Sequence, residues 1–248
     1  LNAERFDIVV DLQGLLRSGI IAKATNSPLR IGFKDAREGS AVFYTHKVEG
    51  GRNMHAVDRY LRIAKYLGCD TEDVRFPFPP FPDSLPGNRD LSLPDEYAVI
   101  APGARKPANR WPAERFGELA SMLPIKAVVI GSKGEMLLAD EVAVRSRGKA
   151  ISVAGKTDIK GLVNIIKGAR FMVCNDTGPM HIAAALGVPV LAIFGPANPV
   201  RTGPYGMGNT VIRKDIACSP CYKKTCKDPK CLDMVEVKDV AACLQSYY

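Results

Sequence analysis

The sequence contains no uncharged apolar run approaching the ~18 residues of a membrane span, so no segment reads as a transmembrane helix. Its first residues, Leu1-Asn2-Ala3-Glu4-Arg5, carry neither an initiating Met nor the basic-then-apolar pattern of a secretion signal. A cytoplasmic setting is therefore expected, where thiols stay reduced and structural disulfides do not form. Aromatic residues are sparse, at 7% with a single Trp, which argues against a nucleic-acid surface of bases stacked on aromatics among basic side chains. Walker A, nucleophile-elbow and G-x-G-x-x-G motifs are all missing. Of the three histidines, His46 and His55 have no ligand-like partner at useful spacing and read as structural or solvent-facing.

What remains is an ordinary globular composition. The 248 residues are 46% hydrophobic and 24% charged, enough for one or two domains. The net charge of +8 suits an anionic partner such as a nucleotide, a phosphorylated glycolipid or a membrane surface, and it serves solubility equally well.

Periodicity divides the chain. Phe6–Asp11 reads as a strand, and Leu15–Ala24 as a helix with Leu15, Leu16, Gly19, Ile20 and Ala24 on one side. Arg30–Phe33 reads as a second strand. A polar loop follows, then a helix from Met54 to Leu67 that buries Val57, Leu61, Ala64 and Leu67. Residues 76–94 hold six of the eighteen prolines and read as an extended connector. Beyond it, five strands (Tyr97–Ile100, Ala127–Ile130, Ala150–Val153, Arg170–Cys174, Val188–Phe194) alternate with helices, which predicts a parallel, doubly wound sheet. The expected division is a partial domain at 1–75, a linker at 76–94 and a complete ligand-binding domain at 95–248. Ligands of such sheets sit beyond the carboxyl ends of the strands.

Three loops lie at those ends. Asp176-Thr177-Gly178-Pro179-Met180-His181 leads from a strand into a helix of small residues. Its exposed N–H groups and helix dipole suit an anion, Gly178 permits close approach, and Asp176 suits sugar hydroxyls. The competing reading is a plain helix cap by Asp or Thr. Gly103-Ala104-Arg105-Lys106 with Arg110-Trp111-Pro112 suits a diphosphate or is a solvated basic loop. Glu135, after Gly131-Ser132, suits ribose hydroxyls or is an ordinary first-turn acid. Cys218, Cys221, Cys226 and Cys231 resemble a four-thiolate zinc set, although only the first pair has the common spacing. Unpaired cysteines in a lysine-rich loop are the alternative.

Taken together, these residues resemble glycosyltransferase family 9, the lipopolysaccharide heptosyltransferases. The likeness runs from Phe6 to about Gln245. It rests on Asp11-Leu-Gln-Gly14, Ala36-Arg-Glu-Gly39, Pro102-Gly-Ala104, Arg110-Trp-Pro112, Asp176-Thr-Gly-Pro-Met-His181, Phe194-Gly-Pro196 and Thr202-Gly-Pro-Tyr-Gly206. The resemblance implies a GT-B architecture of two Rossmann-like domains, the first of them incomplete here. It implies inverting, metal-independent transfer of heptose from ADP-heptose to the lipid A–inner core acceptor, with no cofactor, at the inner-membrane surface. By position, Ala104, Arg105, Lys106, Glu135, Thr157, Asp176, Thr177, Gly178 and His181 are donor-binding, and Asp11, Gln13 and Arg37 lie on the acceptor side. Two departures stand out. Asn109 replaces a Lys frequent in the family, and nothing matches the amino-terminal Gly-rich loop that carries the proposed general base. The catalytic base is thus expected outside these residues, and Asp11, from a later motif, is not promoted to that role. A nucleotide-sugar epimerase of similar architecture and a non-catalytic basic binding module are the alternatives.

Overall fold

The computed structural model describes residues 4–79 and 91–247. The chain forms two compact units divided between Arg75 and Phe76. Part of the expected connector, residues 80–90, lies outside the described residues.

The first unit is a parallel sheet of β1 (Ile8–Asp11), β2 (Leu29–Phe33) and β3 (His46–Val48), in that order. The third strand lies in the stretch expected as polar loop. It is three residues long and buries only Val48, too little for a readable alternation. Helix α1 (Leu16–Ala24) follows β1, but its buried residues are Gly19 and Ala22, whereas Leu16 and Ile20 stay exposed. The expected face is therefore wrong. A Cβ at Gly19 would stand 2.8 Å from the Phe43 ring, so the helix packs by its small residues at close approach. In helix α2 (Ala56–Tyr66), Val57, Leu61 and Ala64 are half-buried as expected, but Ile63 is the fully buried residue and Leu67 is exposed. Ile63 and Phe33 belong to one buried cluster, and the Arg59 guanidinium lies 3.6 Å from the Phe33 ring centroid.

The second unit is a six-stranded parallel sheet of β4 (Tyr97–Ala101), β5 (Lys126–Val129), β6 (Ala150–Ser152), β7 (Met172–Asn175), β8 (Val190–Ile193) and β9 (Thr210–Ile212). The spatial order is β6-β5-β4-β7-β8-β9, the Rossmann order, with its reversal between β4 and β7. Five strands were expected; the sixth, β9, is a three-residue edge strand. The central strands β4, β7 and β8 are buried along their whole length, hence their unbroken apolar runs.

Helices cover both faces. On one, α3 (Ala113–Met122), α4 (Met136–Arg145) and α9 (Val237–Leu244) enclose a core with Trp111, Phe116 and Leu119. On the other, α5 (Ile159–Lys167) and α6 (Gly178–Ala185) enclose Ile165, Ile166 and Met180. One-turn helices α7 (Pro199–Thr202) and α8 (Lys230–Asp233) complete the unit. Among the described residues no helix is long and apolar enough to cross a membrane.

Candidate functional site

The β4/β7 reversal is where a sheet of this order opens a crevice. Asn175, fully buried at the end of β7, staples the loop after β4 across it. Its Nδ2 donates to Pro102 O at 2.7 Å and its Oδ1 accepts from Trp111 N at 3.0 Å. Trp111 is anchored in turn by its Nε1–H to Val235 O at 2.9 Å. The Gly103–Lys106 loop is thereby held beside Asp176.

Two adjoining pockets occupy the crevice, and Thr177 lines both. The first, about 300 Å³, has a largely apolar wall that includes Ile130, Ile159 and Leu162, with Gly103, Glu135 and Thr157 at its polar side. Glu135 realises the capping reading and also lines this pocket. Its Oε2 accepts from Ser132 N at 2.9 Å and Ser132 Oγ at 2.7 Å as a helix cap, while Oε1 lies against Gly103. A Cβ at position 103 would overlap that carboxylate, which explains the glycine.

The second pocket, about 470 Å³, is lined by Arg105, Lys106, Asn109, Asp176, Gly178 and His181, with Thr202 and Tyr222 from later segments. The cap reading of Thr177 is not realised: its side chain accepts no bond from the start of α6. By contrast, α5 is capped by Asp158 and α7 by Asn198. The N-terminal N–H groups of α6 thus receive no side-chain cap from Thr177. A Cβ at Gly178 would meet nothing within 4 Å, so the protein itself does not require this glycine. Asp176 is half-buried and accepts from Asn109 Nδ2 at 2.8 Å. Burial raises its pKa above 3.8, and the charges of His181 and Lys106 draw it back. Ala104 lines neither pocket; it is buried, and its carbonyl accepts from Arg110 Nε at 2.8 Å.

The cysteine-rich segment forms one wall. Ser219 Oγ donates to Gly195 O at 2.7 Å, Tyr222 N to Pro196 O at 2.8 Å, and Ala108 N to Lys224 O at 3.1 Å. These bonds carry Tyr222 to the pocket, a role that sequence reasoning missed. The expected zinc set is not formed: among the described residues no group of His, Cys, Asp or Glu is arranged to hold a metal ion. Cys231 is buried where a Cβ at Gly195 would meet its Sγ at 3.1 Å, while the Cys226 thiol donates to Asp228 O at 3.3 Å. Burial, then the neighbouring Cys218, Cys221 and Cys226, push the Cys231 thiol pKa up.

In the first unit, Asp11 is buried and committed. Its Oδ1 accepts from Gln13 N at 2.9 Å and Gly14 N at 3.0 Å, and its Oδ2 accepts from Tyr44 OH at 2.7 Å. Burial pushes the Tyr44 hydroxyl up to about 12, so it stays protonated as a donor. Gln13 and Arg37 are exposed on adjoining turns, joined by Arg37 N to Gly14 O at 2.8 Å.

Comparison with known proteins places these features in one family. Residues 1–232 match the model for glycosyltransferase family 9 (heptosyltransferase), and the chain belongs to that family. Lipopolysaccharide heptosyltransferase 1 of Pseudomonas aeruginosa is 32% identical over 236 residues, covering 89% of this chain and 63% of its own length. The Escherichia coli K12 protein of the same description is 31% identical over 222 residues, 86% of this chain and 68% of that protein. Among solved structures, E. coli heptosyltransferase WaaC with ADP has a TM-score of 0.73 at 26% identity, covering 99% of this chain and 74% of that one. A glycosyl transferase family 9 protein from Veillonella parvula has a TM-score of 0.80 at 25% identity, covering 99% and 75%. The fold is GT-B, and the family match favours neither the epimerase nor the binding-module alternative. The chain spans 63% of the length of the P. aeruginosa relative.

Proposed function

We propose that the second unit binds ADP-heptose and that the protein transfers its heptose to the lipopolysaccharide inner core, with inversion and without a catalytic metal. One observation carries the reading: an apolar pocket and a basic pocket adjoin at the uncapped start of α6 and share Thr177. Adenosine fits the first pocket, with ribose hydroxyls on Glu135 and adenine near Thr157. The diphosphate fits over Gly178, between the α6 N–H groups and the Arg105 and Lys106 side chains, and the heptose then reaches Asp176 and His181. The E. coli relative solved with ADP supports the choice of nucleotide.

Cleavage of the anomeric C–O bond leaves negative charge on the departing β-phosphate. Fixed N–H donors and cations stabilise that charge as it develops, without reorganising. The attacking hydroxyl must also lose a proton, and a positioned carboxylate contributes typically ~10²–10⁴-fold to such a step. Asp11 is not that carboxylate, because both of its oxygens are bonded within its own unit. Gln13 and Arg37 are the proposed acceptor-side contacts. A lipid A–core acceptor places the work in the cytoplasm, at the inner-membrane surface, and the basic surface suits its phosphates.

Isothermal titration with ADP and ADP-heptose tests donor binding, beside a transfer assay on a lipid A–core acceptor. Saturable one-to-one binding of both nucleotides is expected. A folded chain that binds neither would overturn the reading.

A further inference from the structure

Asn109, which stands where the family frequently has Lys, is the one buried polar residue of the second pocket that the donor reading does not use. It closes the one-turn helix Pro107–Asn109 and is 6% exposed. Its Nδ2 donates to Asp176 Oδ2 at 2.8 Å, and its Oδ1 has no partner among the described residues. The backbone on both sides is pinned: Ala108 N donates to Lys224 O at 3.1 Å, and Trp111 N to Asn175 Oδ1 at 3.0 Å. These bonds fix the backbone from which the amide reaches Asp176.

We infer that Asn109 is a positioning residue for the donor sugar: it holds one oxygen of Asp176 and aims the other at sugar hydroxyls. The chemistry lies in what an amide does to a carboxylate. A lysine there would pair with Asp176 and cancel its charge. The amide N–H fixes its direction and leaves the charge in place, so Asp176 remains a strong acceptor. A fixed, charged acceptor beside a diphosphate site selects a polyhydroxylated group on the far phosphate over a bare diphosphate. Asn109 thus governs the sugar's share of binding and leaves the nucleotide's share alone. This inference rests on the donor reading of the pocket.

The test is the ratio of ADP-heptose to ADP affinity, by calorimetry on the full chain. Asn109→Leu is expected to bind ADP like the unaltered chain and to lose about tenfold in that ratio, the size of one hydrogen bond to a charged group. Asn109→Asp, which sets a like charge against Asp176, should lose at least as much, and it serves if the Leu variant does not fold. Because Asn109 acts through Asp176, Asn109→Leu should change the ratio no further in an Asp176→Asn background. An unchanged ratio in variants that still bind ADP would overturn the inference and spare the donor reading. Failure of the unaltered chain to bind ADP would overturn both.

Discussion

To hold sugar hydroxyls as proposed, Asp176 has to stay ionised, and the walls that keep water from it work against that. Burial raises its pKa above 3.8, with His181 and Lys106 partly restoring it. A raised folded value means that the folded protein binds this proton more readily than the unfolded chain does. The associated stability is present at low pH and is lost as pH rises through the folded pKa. Asp176→Asn is therefore expected to raise the melting temperature at neutral pH while removing the preference for ADP-heptose over ADP. In the unaltered chain that preference should fall on acidification with a midpoint above 3.8. Calorimetry across pH checks this; a midpoint at or below that value, or the same pH dependence in Asp176→Asn, would count against it. Asp176, Thr177 and Gly178 were legible because they follow a buried apolar strand directly. Tyr222 was not, because it reaches the pocket through backbone bonds to Pro196 that leave no local pattern.

At the scale of elements, the crevice depends on a staple more than on any loop's own preference. Asn175→Ala would leave the Pro102 carbonyl and the Trp111 N–H buried without their partner. Each such orphan costs about 1–3 kcal/mol, so a loss of about 2–6 kcal/mol in unfolding free energy is expected. Urea unfolding measures it, and a loss below about 1 kcal/mol would show that the loop is held otherwise. The same scale explains what periodicity conveyed. Strands β4, β7 and β8, buried on both faces, read as plain apolar runs, and the Rossmann alternation followed from them. The short strands β3 and β9 supply three residues each and no period. Helix α1 misled because hydrophobicity marks large side chains, whereas close packing at Gly19 selects small ones. The thiol spacing suggested a metal set, yet the segment folds as a pocket wall, an outcome decided by contacts to Gly195, Pro196 and Ala108.

For the whole molecule, the residues proposed to bind the donor all belong to one compact unit, beside the divergence of β4 and β7. The net charge of +8 acquires a local meaning in Arg105 and Lys106 beside the uncapped α6. Gln13 and Arg37, proposed to face the acceptor, belong to the other unit, and the chain spans 63% of the P. aeruginosa relative's length. The central claim is that one nucleotide lies across Thr177 and fills both pockets. Amide hydrogen exchange of the full chain with and without ADP tests it most directly. Slowed exchange is predicted at Gly103–Lys106, Ser132–Glu135, Thr157 and the Thr177, Gly178 and Met180 amides, with none gained at the opposite edge around Gly208–Thr210. Saturating ADP that leaves the α6 start unprotected, or protects the opposite edge instead, would contradict the account.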